Sequence, residues 1–243
     1  MKKNLLCVVF ALTTMSVVAQ GPKYDSTAIF IIDRMSDVIG DLTSCTFKVH
    51  VSKDENDPDK GLVRYYGTEE AFMAGPDKML VNVRNHKGHS QYLYNGSQIA
   101  YYSFTENNYG LIEAPGTTME TIDKIHDEYG VNFPAADFFY PTFTDDLIAY
   151  FDEIRYVGKV LVEDKECFQI FARNKDVTVQ LWISNDAFTL PAKMLIVKSS
   201  DNHANQEFTY SNWAINPDLP EAMFDFLPPA GASRLRIVAK SQQ

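Results

Sequence analysis

Beyond residue 25 the apolar positions first repeat at helical spacing. Ala28, Ile31, Ile32, Met35, Val38 and Ile39 collect on one face, with Asp25 or Ser26 placed to cap the start and Gly40 to end it. The period then changes to two. Cys45, Phe47, Val49 and Val51 alternate with Thr46, Lys48, His50 and Ser52, the pattern of a strand with one wet face. After a polar loop predicted over 54–61, short β-like runs recur from Val63 to Ile112, separated by Gly75-Pro76-Asp77, His86-Lys87-Gly88, Asn95-Gly96 and Asn107-Asn108. Asn95-Gly96 predicts a two-residue type I′ turn, because both residues accept positive φ cheaply. Two runs are apolar on both sides: Tyr92 and Tyr94 oppose Leu93, and Ala100, Tyr102 and Phe104 oppose Ile99 and Tyr101. Such strands are covered twice or line a cavity.

The meander is interrupted by a helical insertion. Thr117-Thr118-Met119-Glu120 has the form of a capping box, and Met119, Ile122, Ile125 and Tyr129 make a stripe that Gly130 ends. From Val131 to Phe151 the aromatics Phe133, Phe138, Phe139, Tyr140, Phe143, Tyr150 and Phe151 surround Pro134 and Pro141. That segment suits a cover over a sheet edge or cavity better than one long helix. Strand patterns resume at 154–162, 167–173, 177–184, 193–198 and 207–213, before a Pro-rich tail at Pro228-Pro229. About ten antiparallel strands cannot stay flat and open. The expected fold is therefore mainly β (α+β): an antiparallel half-barrel, an unclosed β-barrel, with an N-terminal helix and a helical lid.

The first 19 residues follow a different logic. Lys2 and Lys3 precede an apolar core from Leu5 to Leu12, and Val17-Val18-Ala19 precede an expected cut between Ala19 and Gln20, the order of a secretory signal peptide. Leu5 to Ala19 spans only about 22 Å as a helix, short of a roughly 30 Å hydrocarbon core. The expectation is a signal peptide over 1–19 and one periplasmic domain over 20–243, with no transmembrane anchor in the mature protein. Cleavage leaves Cys45 and Cys167, each in a strand-like alternation that favours a small buried hydrophobe over a bridge.

Composition narrows the function classes. The chain is 45% hydrophobic and 22% charged, which fits a globular domain, and its net charge of −10 repels nucleic acid in the absence of a basic patch. No nucleophile elbow, phosphate loop, dinucleotide fingerprint or zinc-protease motif occurs, so no catalytic residue and no cofactor is assigned. His86 and His89 bracket a turn and lack a third ligand, and the run Asp54 to Asp59 lacks the calcium-loop glycine, so no metal site is assigned. His126 and Asp123 read as a helix-surface pair, and Asp137 as a cap or a buried hydrogen bond.

Tyr94-Asn95-Gly96, Ala114-Pro115-Gly116-Thr117, Tyr129-Gly130 followed by Phe133-Pro134-Ala135-Ala136-Asp137, Gln180-Leu181-Trp182-Ile183, Leu190-Pro191-Ala192-Lys193 and the run from Phe226 to Ala232 carry a resemblance. In order and spacing they resemble a bacterial family of predicted periplasmic proteins of unknown function, itself similar to the lipoprotein carriers LolA and LolB. The resemblance implies a LolA-like half-barrel whose apolar concave face is closed by helices. Its motifs are turns, caps and a sheet tryptophan, which specify fold rather than activity.

The candidate cavity and lid residues are Tyr92, Tyr94, Tyr102, Phe104, Phe133, Phe138, Phe139 and Trp182, with Tyr94, Tyr102 and Phe104 expected on the face covered by the 133–139 segment. The expected function is a non-catalytic periplasmic carrier that shelters an apolar ligand, such as the acyl chains of a lipid or lipoprotein. The alternative is an envelope structural or protein-interaction domain, with an envelope protein partner and a barrel filled by side chains. An apolar pocket above about 300 Å³ favours the carrier.

Overall fold

The computed structural model describes residues 23–114, 116–199 and 204–240. The expected signal peptide and its cut lie outside the described residues. The chain runs β1 (Lys23–Tyr24), α1 (Ser26–Gly40), β2 (Ser44–Asp57), β3 (Gly61–Ala74), β4 (Lys78–Asn85), β5 (Gly88–Tyr94), β6 (Gln98–Ser103) and β7 (Asn108–Glu113). The insertion follows as α2 (Thr118–Tyr129), a 3-10 turn (Ala136–Phe139) and α3 (Phe143–Tyr150). Then come β8 (Glu153–Val162), β9 (Lys165–Arg173), β10 (Val177–Ser184), β11 (Pro191–Lys198), β12 (Ala204–Ile215), a second 3-10 turn (Glu221–Phe224) and β13 (Ser233–Arg234).

All thirteen strands form one unclosed sheet in the order β1-β8-β9-β10-β11-β12-β2-β3-β4-β5-β6-β7-β13. Every neighbouring pair is antiparallel except the two at the borders, where the two-residue strands β1 and β13 add in parallel to β8 and β7. The two ends of the described chain thus cover the two free edges, which otherwise present unpaired backbone groups. The insertion sits between β7 and β8, the strands farthest apart in the sheet apart from these border pieces, and so its helices cross the open side.

The predicted N-caps form, while Gly40 is the last helical residue of α1 and Asp41 its C-cap. Asp25 accepts a hydrogen bond from the Thr27 amide at 2.8 Å, and Thr117 and Glu120 make a reciprocal capping box that Gly130 closes at φ +74°. Three expectations change. Six main strands, not about five, precede the insertion. The segment 54–61 is mostly strand: β2 and β3 pair through Asp57 opposite Gly61, and Arg64 grips Asp54 with two hydrogen bonds of 2.7 and 2.8 Å. That cross-strand fork neutralises part of an acidic run that composition alone marks as a loop. Finally, the β5–β6 connection is longer than two residues. The first ladder pair is Tyr94 with Ile99, and the Asn95 side chain accepts from Ser97 and Gln98 amides, leaving Gly96 alone at positive φ. A Cβ on Gly96 would also collide with the Asp77 carboxylate.

Each sheet face buries its own set. Cys45, Phe47, Val49, Met79, Val81, Tyr94, Ile154, Ile170, Leu181 and Tyr210 face the helices, and α1 contributes Ala28, Ile31, Ile32, Met35 and Ile39 as the spacing predicts. The opposite face buries a smaller cluster, Leu80, Leu93 and Ala100, under Phe224 from the tail. Cys45 and Cys167 are both buried free thiols, and burial pushes the Cys45 thiol up to about 12.

Candidate functional site

The inner face is filled at one end and hollow at the other. Across β2–β4 the insertion packs tightly: Phe139 stacks near Phe47 with ring centres 6.1 Å apart, Phe47 stacks on Trp213 at 4.3 Å, and Phe133 meets Tyr92 edge-on at 5.4 Å. The void beside Val49, Val81 and Ile122 is only about 30 Å³. Across β9–β11 the picture reverses. A cavity of about 630 Å³ lies between those strands and the cover made by α1, the 3-10 turn at 136–139 and α3.

Strand alternation builds the floor. Ala172 on β9 pairs with Val179 on β10, which pairs with Ile196 on β11, so three apolar side chains from adjacent strands stand in one row. Ile170, Leu181 and Met194 form the next row, and Ala172 leaves room that a larger residue would fill. The roof is aromatic: Phe138, Phe143 and Phe151 line it with Leu147 and Ile32. Phe138 is 2% exposed and meets Phe143 and Tyr210 edge-on at 5.3 and 5.4 Å. The far end of α3 is held by Tyr24 of β1, whose hydroxyl donates to the carbonyls of Ile148 and Phe151 at 2.7 and 3.1 Å.

Polar groups lie at the rim: Asp137, Tyr140, Asp146, Tyr150 and Lys198. Burial raises the Asp137 carboxyl above the usual carboxylate range, with Asp146 adding in the same direction and His126 opposing. The Tyr140 hydroxyl donates to Asp123, and Asp146 accepts from the Thr142 hydroxyl at 2.7 Å. A second carboxyl on the inner face, Glu69, lies apart from the cavity beside the filled end and is pushed up to about 7 by burial.

The eight residues singled out by sequence divide into three groups. Phe138 lines the cavity. Tyr92, Tyr94, Phe133 and Phe139 face the helices but belong to the filled end, where the fully buried Tyr94 donates its hydroxyl to the Gly116 carbonyl at 2.6 Å. Tyr102, Phe104 and Trp182 are on the other face. Tyr92 opposes Tyr101 and Tyr94 opposes Ile99, so these tyrosines share a side with the odd-numbered residues of β6; Tyr102 opposes Gln91 and packs under Phe226 instead. Phe104 stacks on His89 at 4.0 Å, and Trp182 alternates with the inward Leu181 and Ile183. The shared face expected for Tyr94, Tyr102 and Phe104 is therefore corrected by the parity of the ladder. The floor residues Val177, Val179, Met194 and Ile196 carry no aromatic signal; only the period-two aliphatic runs of β10 and β11 mark them.

His86 and His89 stack on different rings, Tyr65 and Phe104, and among the described residues no three His, Cys, Asp or Glu side chains gather as metal ligands. No helix of the described residues is long and apolar enough to cross a membrane.

The sequence model of a family described as "Predicted periplasmic protein (DUF2092)" matches residues 28–238. No curated protein matches the chain. Among solved structures, the chain is similar to an uncharacterized conserved protein from Thermus thermophilus, at 11% identity and a TM-score of 0.48 over 87% of this chain and 99% of that one. It is similar to LprF from Mycobacterium bovis at 12% identity and 0.46, over 82% and 99% of the two chains. A LolA superfamily protein from Nitrosomonas europaea is similar at 11% identity and 0.38, over 82% and 97%.

Proposed function

Since the chain belongs to the DUF2092 family of predicted periplasmic proteins, we propose that it is a non-catalytic binding protein that shelters an apolar chain, such as an acyl chain of a lipid or lipoprotein, under the α3 cover. The observation that carries this reading is the 630 Å³ hollow, which is lined on both floor and roof by apolar side chains and falls within the roughly 300–1,000 Å³ of ligand pockets. Each methylene sheltered there is worth about 0.8 kcal/mol, so a chain binds without any specific polar contact. The segment 1–19 is the export signal in this reading, and N-terminal sequencing of the exported protein should find Gln20 first rather than Met1.

The test is titration of the purified protein with a fluorescent fatty-acid analogue. Saturable one-to-one binding, reversed by an unlabelled competitor, supports the carrier; a signal that never saturates refutes it. The filled end of the inner face favours the second reading, a structural envelope domain, over part of the sheet. Native mass spectrometry of protein taken from its own envelope separates the two: a bound apolar mass accompanies the carrier and not the structural domain.

A further inference from the structure

We infer that the cavity takes its chain as a free carboxylic acid, with Lys198 holding the carboxylate at the rim; the inference rests on the apolar-ligand reading above. Lys198 is the single cationic side chain among the described lining residues. It ends β11 on the cavity floor, on the same side as Met194 and Ile196, and pairs in register with Val177. No other polar group among the described lining residues offers a carboxylate a positive charge. Tyr140 donates to Asp123, Asp146 accepts from Thr142, Asp137 is a second carboxyl, and the Tyr150 hydroxyl is uncharged. The Lys198 ammonium, by contrast, makes no ion pair within 4.0 Å with any acid of the described residues.

This asymmetry orients a ligand. The two acids belong to the cover, on the 136–139 turn and α3, while the amine belongs to the floor. A carboxylate entering the rim is repelled from the cover and drawn to the end of β11. Its chain then has the floor from Lys198 back to Met194 to lie along, roughly 13 Å at the rise of a strand. An uncharged head group of the same length gains the burial but not the pairing, and a cationic one is drawn to the cover instead. A rim ion pair of this kind is worth up to about 1 kcal/mol, about fivefold in affinity.

The experiment compares lauric acid with dodecanol on the full-length mature protein at pH 8 by calorimetry. Wild type is expected to bind laurate about fivefold more tightly, with the difference shrinking at high salt. Lys198→Met keeps the apolar stem and should equalise the two ligands. Lys198→Glu should make laurate the weaker ligand and improve dodecyltrimethylammonium, and its unfolding midpoint serves as the folding control for an exposed position. If both variants keep the wild-type preference for laurate, or wild type has none, the role of Lys198 is overturned while dodecanol binding still supports the cavity. If neither laurate nor dodecanol binds wild type, the apolar-ligand reading itself falls and this inference with it.

Discussion

Filling the hollow and filling the packed end of the same face should have opposite consequences. Val179 stands in the middle of the cavity floor between Ala172 and Ile196, and Val81 stands on β4 beside a void of about 30 Å³. Val179→Trp places a large aromatic into 630 Å³ of open space. Burying about 100 Å² of added apolar surface there is worth up to roughly 2.5 kcal/mol, and less if the ring stays partly wet. The unfolding midpoint should hold or rise by a few degrees, since 1 kcal/mol moves a domain of this size by about 2–4 °C. If the ring displaces three methylenes of a bound chain, affinity falls by about 2.4 kcal/mol, roughly fiftyfold. Val81→Trp has nowhere to go: overpacking should cost about 1–3 kcal/mol and lower the midpoint while leaving the distant cavity able to bind. Thermal denaturation and titration with the fluorescent fatty-acid analogue read both quantities. Equal destabilisation by the two variants, with probe affinity unchanged in Val179→Trp, would refute the claim that this space is built for a ligand.

Further consequences follow from single groups. Tyr94→Phe removes the hydroxyl that satisfies the Gly116 carbonyl and should cost about 1 kcal/mol, read as a midpoint lowered by about 2–4 °C without loss of probe binding. Glu69 has its folded pKa raised from 4.5 to about 7, so the folded state holds its proton more tightly than the unfolded chain. Its drag on stability is absent below about pH 4.5 and grows as pH rises through about 7; Glu69→Gln should remove that drag, and identical urea midpoints for wild type and variant at pH 8 would count against it. Asp54 has the opposite sign: Arg64 and the Asn205 amide hold its carboxyl below the usual range, so its contribution is present at neutral pH and lost on acidification below the unfolded value of 3.8. Asp54→Asn should flatten the acid limb of the denaturation curve.

What the sequence made legible was whatever local chemistry determines. The α1 stripe, the Thr117–Glu120 box and the Gly130 stop each depend on residues within one or two turns of one another, and each forms where predicted. The half-barrel followed because strand count and turn spacing bound the sheet. The site was harder. Which aromatic faces inward depends on ladder parity across a turn, and a reading that took Tyr94 and Tyr102 as neighbours failed there. The acidic stretch at 54–57 became strand through Arg64, ten residues from Asp54, a pairing that no local propensity announces. The hollow itself is a property of what does not fill it: Ala172 opposite Val179, under a helix eight residues long, leaves a space that only the packed arrangement reveals.

The border strand β1 joins two events that are usually considered apart. Tyr24 belongs to the piece that shields the β8 edge, and its hydroxyl holds the final carbonyls of α3, the helix over the cavity. This one short strand is therefore both an edge guard and the post to which the cover is tied. A tag added upstream of it should pull on the same tether that holds α3 down. Placing affinity tags at the other end of the chain keeps that tether intact when uptake is measured.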